Sequence, residues 1–354
     1  MHSGWPLHPR QRFEAALKGV PVDRPPVTAW GHDFLAEWSP GALAESTVRR
    51  ARQFGFDLIK LQPRASCFAE AFGSVYRVSG GAFEAPRLVS WPIRRPDDWQ
   101  KLIQADAGAA PLADQIRALD VVVREIGDER PVLQTVFSPF TVASYLAADG
   151  QAEAQRSRPD LIAKAEARAV AHLRQRPDAF ASALGVVTSA LVAFVEGSVA
   201  AGAHAIFYAV GAGASAETLS WSEYEELLLP HDRTVLAAVP ASVPVVLHLC
   251  GPRVRLRLAD ALRIDAISLA AHEAGNPSLA QVRARTGAAV FGGVPHVAAL
   301  VDGEVETVRG VVRAAIVETG GAGLVVAPGC SVPPGAPERN LVAMVSAAGG
   351  ERGR

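Results

Sequence analysis

The chain has 354 residues with 35 basic and 36 acidic side chains, a formal net charge of -1. That balance supplies no basic field to neutralise phosphates and argues against a nucleic-acid partner. Three cysteines, Cys67, Cys250 and Cys330, are an odd number and too sparse for a secreted disulfide framework, so a reducing, cytoplasmic setting is expected.

The N-terminal stretch MHSGWPLHPRQRFEAALKG has no apolar h-region and reads as an amphipathic helix from about Pro9, so no signal peptide is expected. Short β-branched runs then alternate with longer helical patterns, as repeated βα units require. Eight such runs occur: PPVTAW near residue 25, DLIKLQ from Asp57, PVLQTVF from Pro131, HAIFYAV from His204, VPVVLHL from Val243, DAISLA from Asp265, AAVFGGV from Ala288 and GLVVAP near Leu324. Eight units favour closure into a (β/α)8 TIM barrel over an open sheet, and no Gly-rich nucleotide loop follows the first run.

Between the second and third runs lie roughly 70 residues, more than a βα connection needs. Residues 73–96 read as a β-hairpin insertion turning at Ser79-Gly80-Gly81, laid over one mouth of the barrel. The apolar run 181–203 is long enough to span a bilayer, but it is rich in Ala, Ser and Gly and carries Glu196. It reads as a buried barrel helix, and no membrane partner is expected. Ser222 and Glu225 suggest a capping box, and Gly320 is placed to end a helix with Val305, Val308, Val312, Ala315 and Ile316 on its apolar face. The tail AAGGERGR reads as frayed, and no linker divides the chain, so residues 1–354 are read as a single barrel domain with its core at about 10–347.

Chemistry in such a barrel sits at the C-terminal ends of the strands, and histidine is frequent there. His32 follows the first run, His248 ends the fifth, His272 follows the sixth and His296 the seventh, while Cys250 and Cys330 follow the fifth and eighth. His248-Leu249-Cys250 places two zinc-type ligands at period two on one side of an extended chain, and Cys330 would reach them from across the mouth. The bland reading stays open: both cysteines as small, partly buried side chains and His248 as a hydrogen-bonded residue. His32, His272 and His296 are candidates for orienting substrate or exchanging protons, and Cys67 reads as structural.

The stretches RQRFEAALKGVPVDRPPV, SPFTVASYL from Ser138, LHLCG at 247–251 and VVAPGCSVPPGAPERNLVAMV resemble the uroporphyrinogen decarboxylase superfamily from about Arg10 to Val345. The resemblance implies a (β/α)8 barrel. True decarboxylases of the family carry an arginine-rich segment after the first strand and an aspartate after the second; here those places read Ala29-Trp30-Gly31-His32-Asp33-Phe34 and Leu61-Gln62-Pro63-Arg64. Without paired arginines a tetrapyrrole poly-acid loses its best contacts. His248, Cys250 and Cys330 are instead similar in position to the zinc ligands of the methylcobamide:coenzyme M methyltransferase branch. The resemblance therefore implies Zn2+, a small-molecule thiol substrate, and a cobamide (corrinoid) as free cofactor or on a separate corrinoid protein, since no D-x-H-x-x-G segment is present. It also implies a monomer or homodimer. His296 stands where the family has part of an N-V-D-P-like turn, as a fourth ligand or a surface change. Two other expectations remain: a decarboxylase acting on a tetrapyrrole or smaller acid through residues such as His32 and Arg64, and a non-catalytic tetrapyrrole-binding barrel.

Overall fold

In a computed structural model of the protein, residues 7–104, 110–148, 159–215 and 217–349 are described. The strands, in chain order, are β1 (Ile59–Leu61), β2 (Val75–Arg77), β3 (Arg87–Ser90), β4 (Val132–Phe137), β5 (Ala205–Val210), β6 (Val245–Leu249), β7 (Ala266–Leu269), β8 (Ala289–Val294) and β9 (Leu324–Pro328). Seven of them form one parallel sheet in the order β1-β4-β5-β6-β7-β8-β9. Because helices cover the outside and side chains fill the inside, these strands are buried on both faces and read as near-continuous apolar runs.

The eighth position belongs to the PPVTAW segment, but not as a regular strand. Thr28 N–H donates to Val326 O (3.1 Å), Val326 N–H to Pro26 O (2.9 Å) and Asp57 N–H to Val27 O (2.8 Å). The ring is thus closed through isolated parallel bridges, Val27 to Val326 and, further along, Gly31 to Val332. Pro25 and Pro26 have no N–H to give, which thins the ladder at its start.

Inside the ring one apolar cluster gathers Leu58, Leu133, Phe207, Val246, Phe291 and Val325 with Trp30. Its lower end is plugged by the helix Pro9–Leu17, which inserts Phe13 edge-on to Phe291 at 6.3 Å between ring centroids. Arg12 on that helix bonds Asp23 and Asp57, and Arg24 grips the same Asp57 carboxylate.

The predicted hairpin exists as antiparallel β2 and β3. Its connection is residues 78–86, longer than a tight turn at Ser79-Gly80-Gly81. Phe34 N–H donates to Ala82 O (3.1 Å), which pins the hairpin to the mouth segment following residue 31. The capping box lies two residues earlier than expected: Ser220 and Glu223 cap the helix Trp221–Leu227. The helix Val305–Thr319 ends on Gly320 in the left-handed conformation, as expected. The long apolar run is the helix Pro177–Ala200, the one described helix long and apolar enough to cross a bilayer; half of its apolar window is buried against the rest of the chain. The tail beyond residue 349 lies outside the described residues.

Behind β5, the buried Asp232 carboxylate accepts from Tyr208 and Tyr224 Oη–H, both at 2.6 Å. Burial raises its pKa to about 6 even though both hydroxyls favour the anion. A carboxyl raised on folding contributes stability that is present below its unfolded value and lost as pH rises through about 6. Denaturant unfolding is therefore expected to show Asp232→Asn gaining on the native protein between pH 4 and pH 8. A stability difference that is flat over that range would refute it.

Candidate metal centre

The ends of β6 and β9 converge at the mouth. His248 is the fourth residue of β6, with its side chain inside the ring, and Cys250, two residues on, faces the same way as the extended period dictates. β9 stands three strands away around the ring, beyond β7 and β8, so Cys330 must approach across the opening. Gly329 makes that approach feasible, since a Cβ there would lie 2.7 Å from Ala270 Cα and Cβ. The chain after β7 and the chain after β9 touch at this point, and the next residue, Cys330, swings over the mouth.

The ligand atoms of His248, Cys250 and Cys330 all lie within 4.8 Å of one another. The sulfurs are 3.9 Å apart and Cys330 Sγ is 4.0 Å from His248 Nε2. A disulfide would need about 2.05 Å between the sulfurs. Two thiolates on one tetrahedral zinc at about 2.3 Å each stand about 3.8 Å apart. The donor set fits zinc, therefore, with three protein ligands and one position left for another. His248 is oriented for this: Nδ1 lies 3.0 Å from Ser268 Oγ, a hydrogen bond open to either direction, which leaves Nε2 toward the sulfurs. Phe207 stacks against the imidazole at 5.3 Å.

The thiols behave as a pair. Cys250 Sγ–H directed at Cys330 holds the Cys330 thiol well below its ordinary value; burial opposes this, and His248 and His296 add to it. Cys250 is driven up in consequence.

The other histidines separate. His296 faces Cys330 closely enough to act on its charge but is not one of the three converging groups. His272 donates Nε2–H to Gly293 O (2.9 Å), tying the turn after β7 to the end of β8. His32 belongs to a polar chain that sequence reasoning did not anticipate. Buried Lys60 of β1 donates to Gln62 Oε1 at 2.5 Å, and Gln62 Nε2 meets His32 Nε2 at 3.0 Å. His32 Nδ1 meets Glu37 Oε1 at 2.7 Å. Lysine can only donate, so the chain has one direction: Lys60 to Gln62 to His32 to Glu37, with His32 neutral and its proton on Nδ1. Lys60 also lies over the rings of Trp30 (5.4 Å) and Phe207 (5.0 Å). Burial pushes Lys60 down to about 7, against the pull of Cys330, Glu37 and Cys250. A signal was available in Leu58, Lys60 and Gln62, which alternate on one face of an otherwise apolar strand.

Arg64 is committed elsewhere. It grips Glu70 with two hydrogen bonds (3.0 and 2.9 Å) and covers Trp38 at 4.4 Å. Cys67 is fully buried in the core.

The uroporphyrinogen decarboxylase (URO-D) family model matches residues 8–350. The methylcobamide:CoM methyltransferase MtbA of Methanosarcina mazei is 23% identical over 96% of this chain and 97% of its own. Uroporphyrinogen decarboxylase of Mus musculus is 27% identical, but over 61% of this chain and 54% of its own. Among solved structures, a methyltransferase from Methanosarcina mazei superposes with a TM-score of 0.77, 23% identity, and coverage of 97% of this chain and 98% of that one. A B12-independent methionine synthase from Shewanella sp. W3-18-1 does so at 0.57 and 13% identity, covering 92% and 96%. The likenesses to methyltransferases thus span the chain from end to end, and the chain belongs to the uroporphyrinogen decarboxylase (URO-D) family.

Proposed function

We propose that the protein is a zinc-dependent methyltransferase that moves a methyl group between a corrinoid and a small thiol. The observation carrying this reading is the convergence of His248, Cys250 and Cys330 at tetrahedral spacing, at the end of the barrel where such folds do their chemistry. Held by these three residues, zinc would lower the pKa of a thiol in the fourth position and present its sulfur as a nucleophile at neutral pH. Ser268 anchors the His248 ring, Phe207 stacks on its plane, and the Gly329 contact sets the reach of Cys330. The names of full-length relatives pair methylcobamide with CoM, which supports a corrinoid and a thiol as the reacting partners. The cobamide would reach this mouth free or on a separate protein, and the sulfur pair calls for a reducing compartment.

Elemental analysis of the purified protein is expected to give about one zinc per chain, lost in the Cys250→Ser, Cys330→Ser double variant. Methylcobalamin mixed with a small thiol should be demethylated by the native protein only. Absence of zinc from the native protein, or turnover of uroporphyrinogen that survives in the double variant, would overturn the reading in favour of a metal-free decarboxylase.

A further inference from the structure

The three converging ligands leave Lys60 unexplained. It sits inside the barrel at 6% exposure, boxed by Trp30 and Phe207, and the same Phe207 stacks on His248. Its hydrogen-bond acceptor is a neutral amide, and Glu37 is reached only through Gln62 and His32. A buried ammonium so held is costly unless an anion comes near it. The Cys330 loop is physically joined to this chain. Val332 N–H donates to Trp30 O (2.8 Å), Ser331 Oγ reaches Gln62 Oε1 (3.4 Å), and a Cβ on Gly31 would meet Val332 O at 2.5 Å. The charged groups facing Lys60 are Glu37, Cys250 and Cys330.

Charge counting supplies the role. A dipositive ion and two cysteine thiolates cancel, so a further anionic sulfur leaves the site one negative charge in excess, enclosed by aromatic rings. An ammonium facing the sulfurs removes that excess, the incoming anion itself favouring the protonated lysine, and in a low-dielectric site such compensation is worth far more than in water.

We propose that Lys60, tethered by Gln62, His32 and Glu37, is a positioning residue that offsets the charge of the thiolate entering the open position beside Cys250 and Cys330. The inference rests on the zinc and thiol reading above. It gives His32 a task at one remove: to hold Gln62, and through it the ammonium, in place. When the thiol binds, its proton leaves to solvent and its sulfur stays as the anion that Lys60 faces.

Cobalt(II)-loaded protein titrated with 2-mercaptoethanol across a range of pH tests this, because sulfur-to-cobalt charge-transfer absorption reports thiolate binding without turnover. Lys60→Met and Lys60→Gln are expected to take up cobalt as the native protein does. Their apparent pKa for thiol binding should rise by about one unit, making binding about tenfold weaker at neutral pH. Lys60→Arg should restore most of it, since it keeps a cation at this position. A native pH profile in both neutral variants overturns the role of Lys60 and leaves the metal site standing. A native protein that binds neither cobalt nor zinc overturns both.

Discussion

Replacing Cys330 by serine is expected to leave the barrel folded while removing zinc and lowering thiol methylation about a thousandfold. The factor follows from magnitudes. A metal that turns a neutral nucleophile into an anion contributes several kcal/mol to the barrier, and about 1.4 kcal/mol is a decade in rate. Cys330 is half-buried on a loop after β9 and outside the apolar core, so its loss leaves no core cavity and should cost little stability. Serine keeps the shape but offers a hydroxyl that stays protonated where the thiol is held low by Cys250. Cys67→Ser is the control. That side chain is fully buried, so the variant should lose stability and keep its zinc. Comparing metal content, thermal unfolding and methyl-transfer rate in the two variants separates the chemistry from the fold. Retention of full zinc by Cys330→Ser would show that the cluster is not the metal site.

The parallel barrel was legible because its strands obey a strong rule: when both faces are buried, runs such as VPVVLHL and AAVFGGV cannot be polar. The same rule located the H-x-C step, since period two along β6 settles which side chains share a face. What remained hidden depended on contacts between segments distant in sequence. PPVTAW looks like any other strand, and only the missing donors of Pro25 and Pro26 reveal why it closes the ring through isolated bridges. The capping box was misplaced by two residues because Ser220 and Ser222 both precede a glutamate at the required offset, and local spacing cannot choose between them. Lys60 was passed over because it stands within a strand rather than at its end, so a search confined to strand ends does not reach it. Its meaning depends on Gln62, His32 and Glu37 meeting around it. His272 read as a site candidate by position, and its partner turned out to be a backbone carbonyl at the end of β8.

At the opposite end of the barrel, Asp57→Ala is expected to cost about 3–5 kcal/mol, a large share of the stability of an ordinary domain. The carboxylate is 2% exposed and accepts from Arg12 (2.6 Å), from both terminal nitrogens of Arg24 (2.6 and 2.9 Å) and from Val27 N–H (2.8 Å). Removing it leaves Arg12, itself 3% exposed, with Asp23 as its carboxylate partner, and strands a backbone donor of the closing segment. Asp57→Asn should fare little better, because its amide would turn N–H groups toward two guanidinium ions. Asp23 adds a pH signature. Burial would raise it, but the hydrogen bond and charge of Arg12 outweigh that and hold it at about 2. A carboxyl depressed on folding contributes stability that is present above its unfolded pKa and is lost as pH falls through about 2. The acid limb of the native protein should therefore lie below pH 4, and that of Asp57→Ala should move upward as the cluster loosens. The closing segment freed from Asp57 also carries Trp30, Gly31 and His32, so weaker thiol binding at the far mouth is expected alongside the lost stability. Urea unfolding at neutral pH decides the matter: a loss below about 1 kcal/mol, the range of an exposed ion pair, would mean that the cluster does not lock the barrel shut.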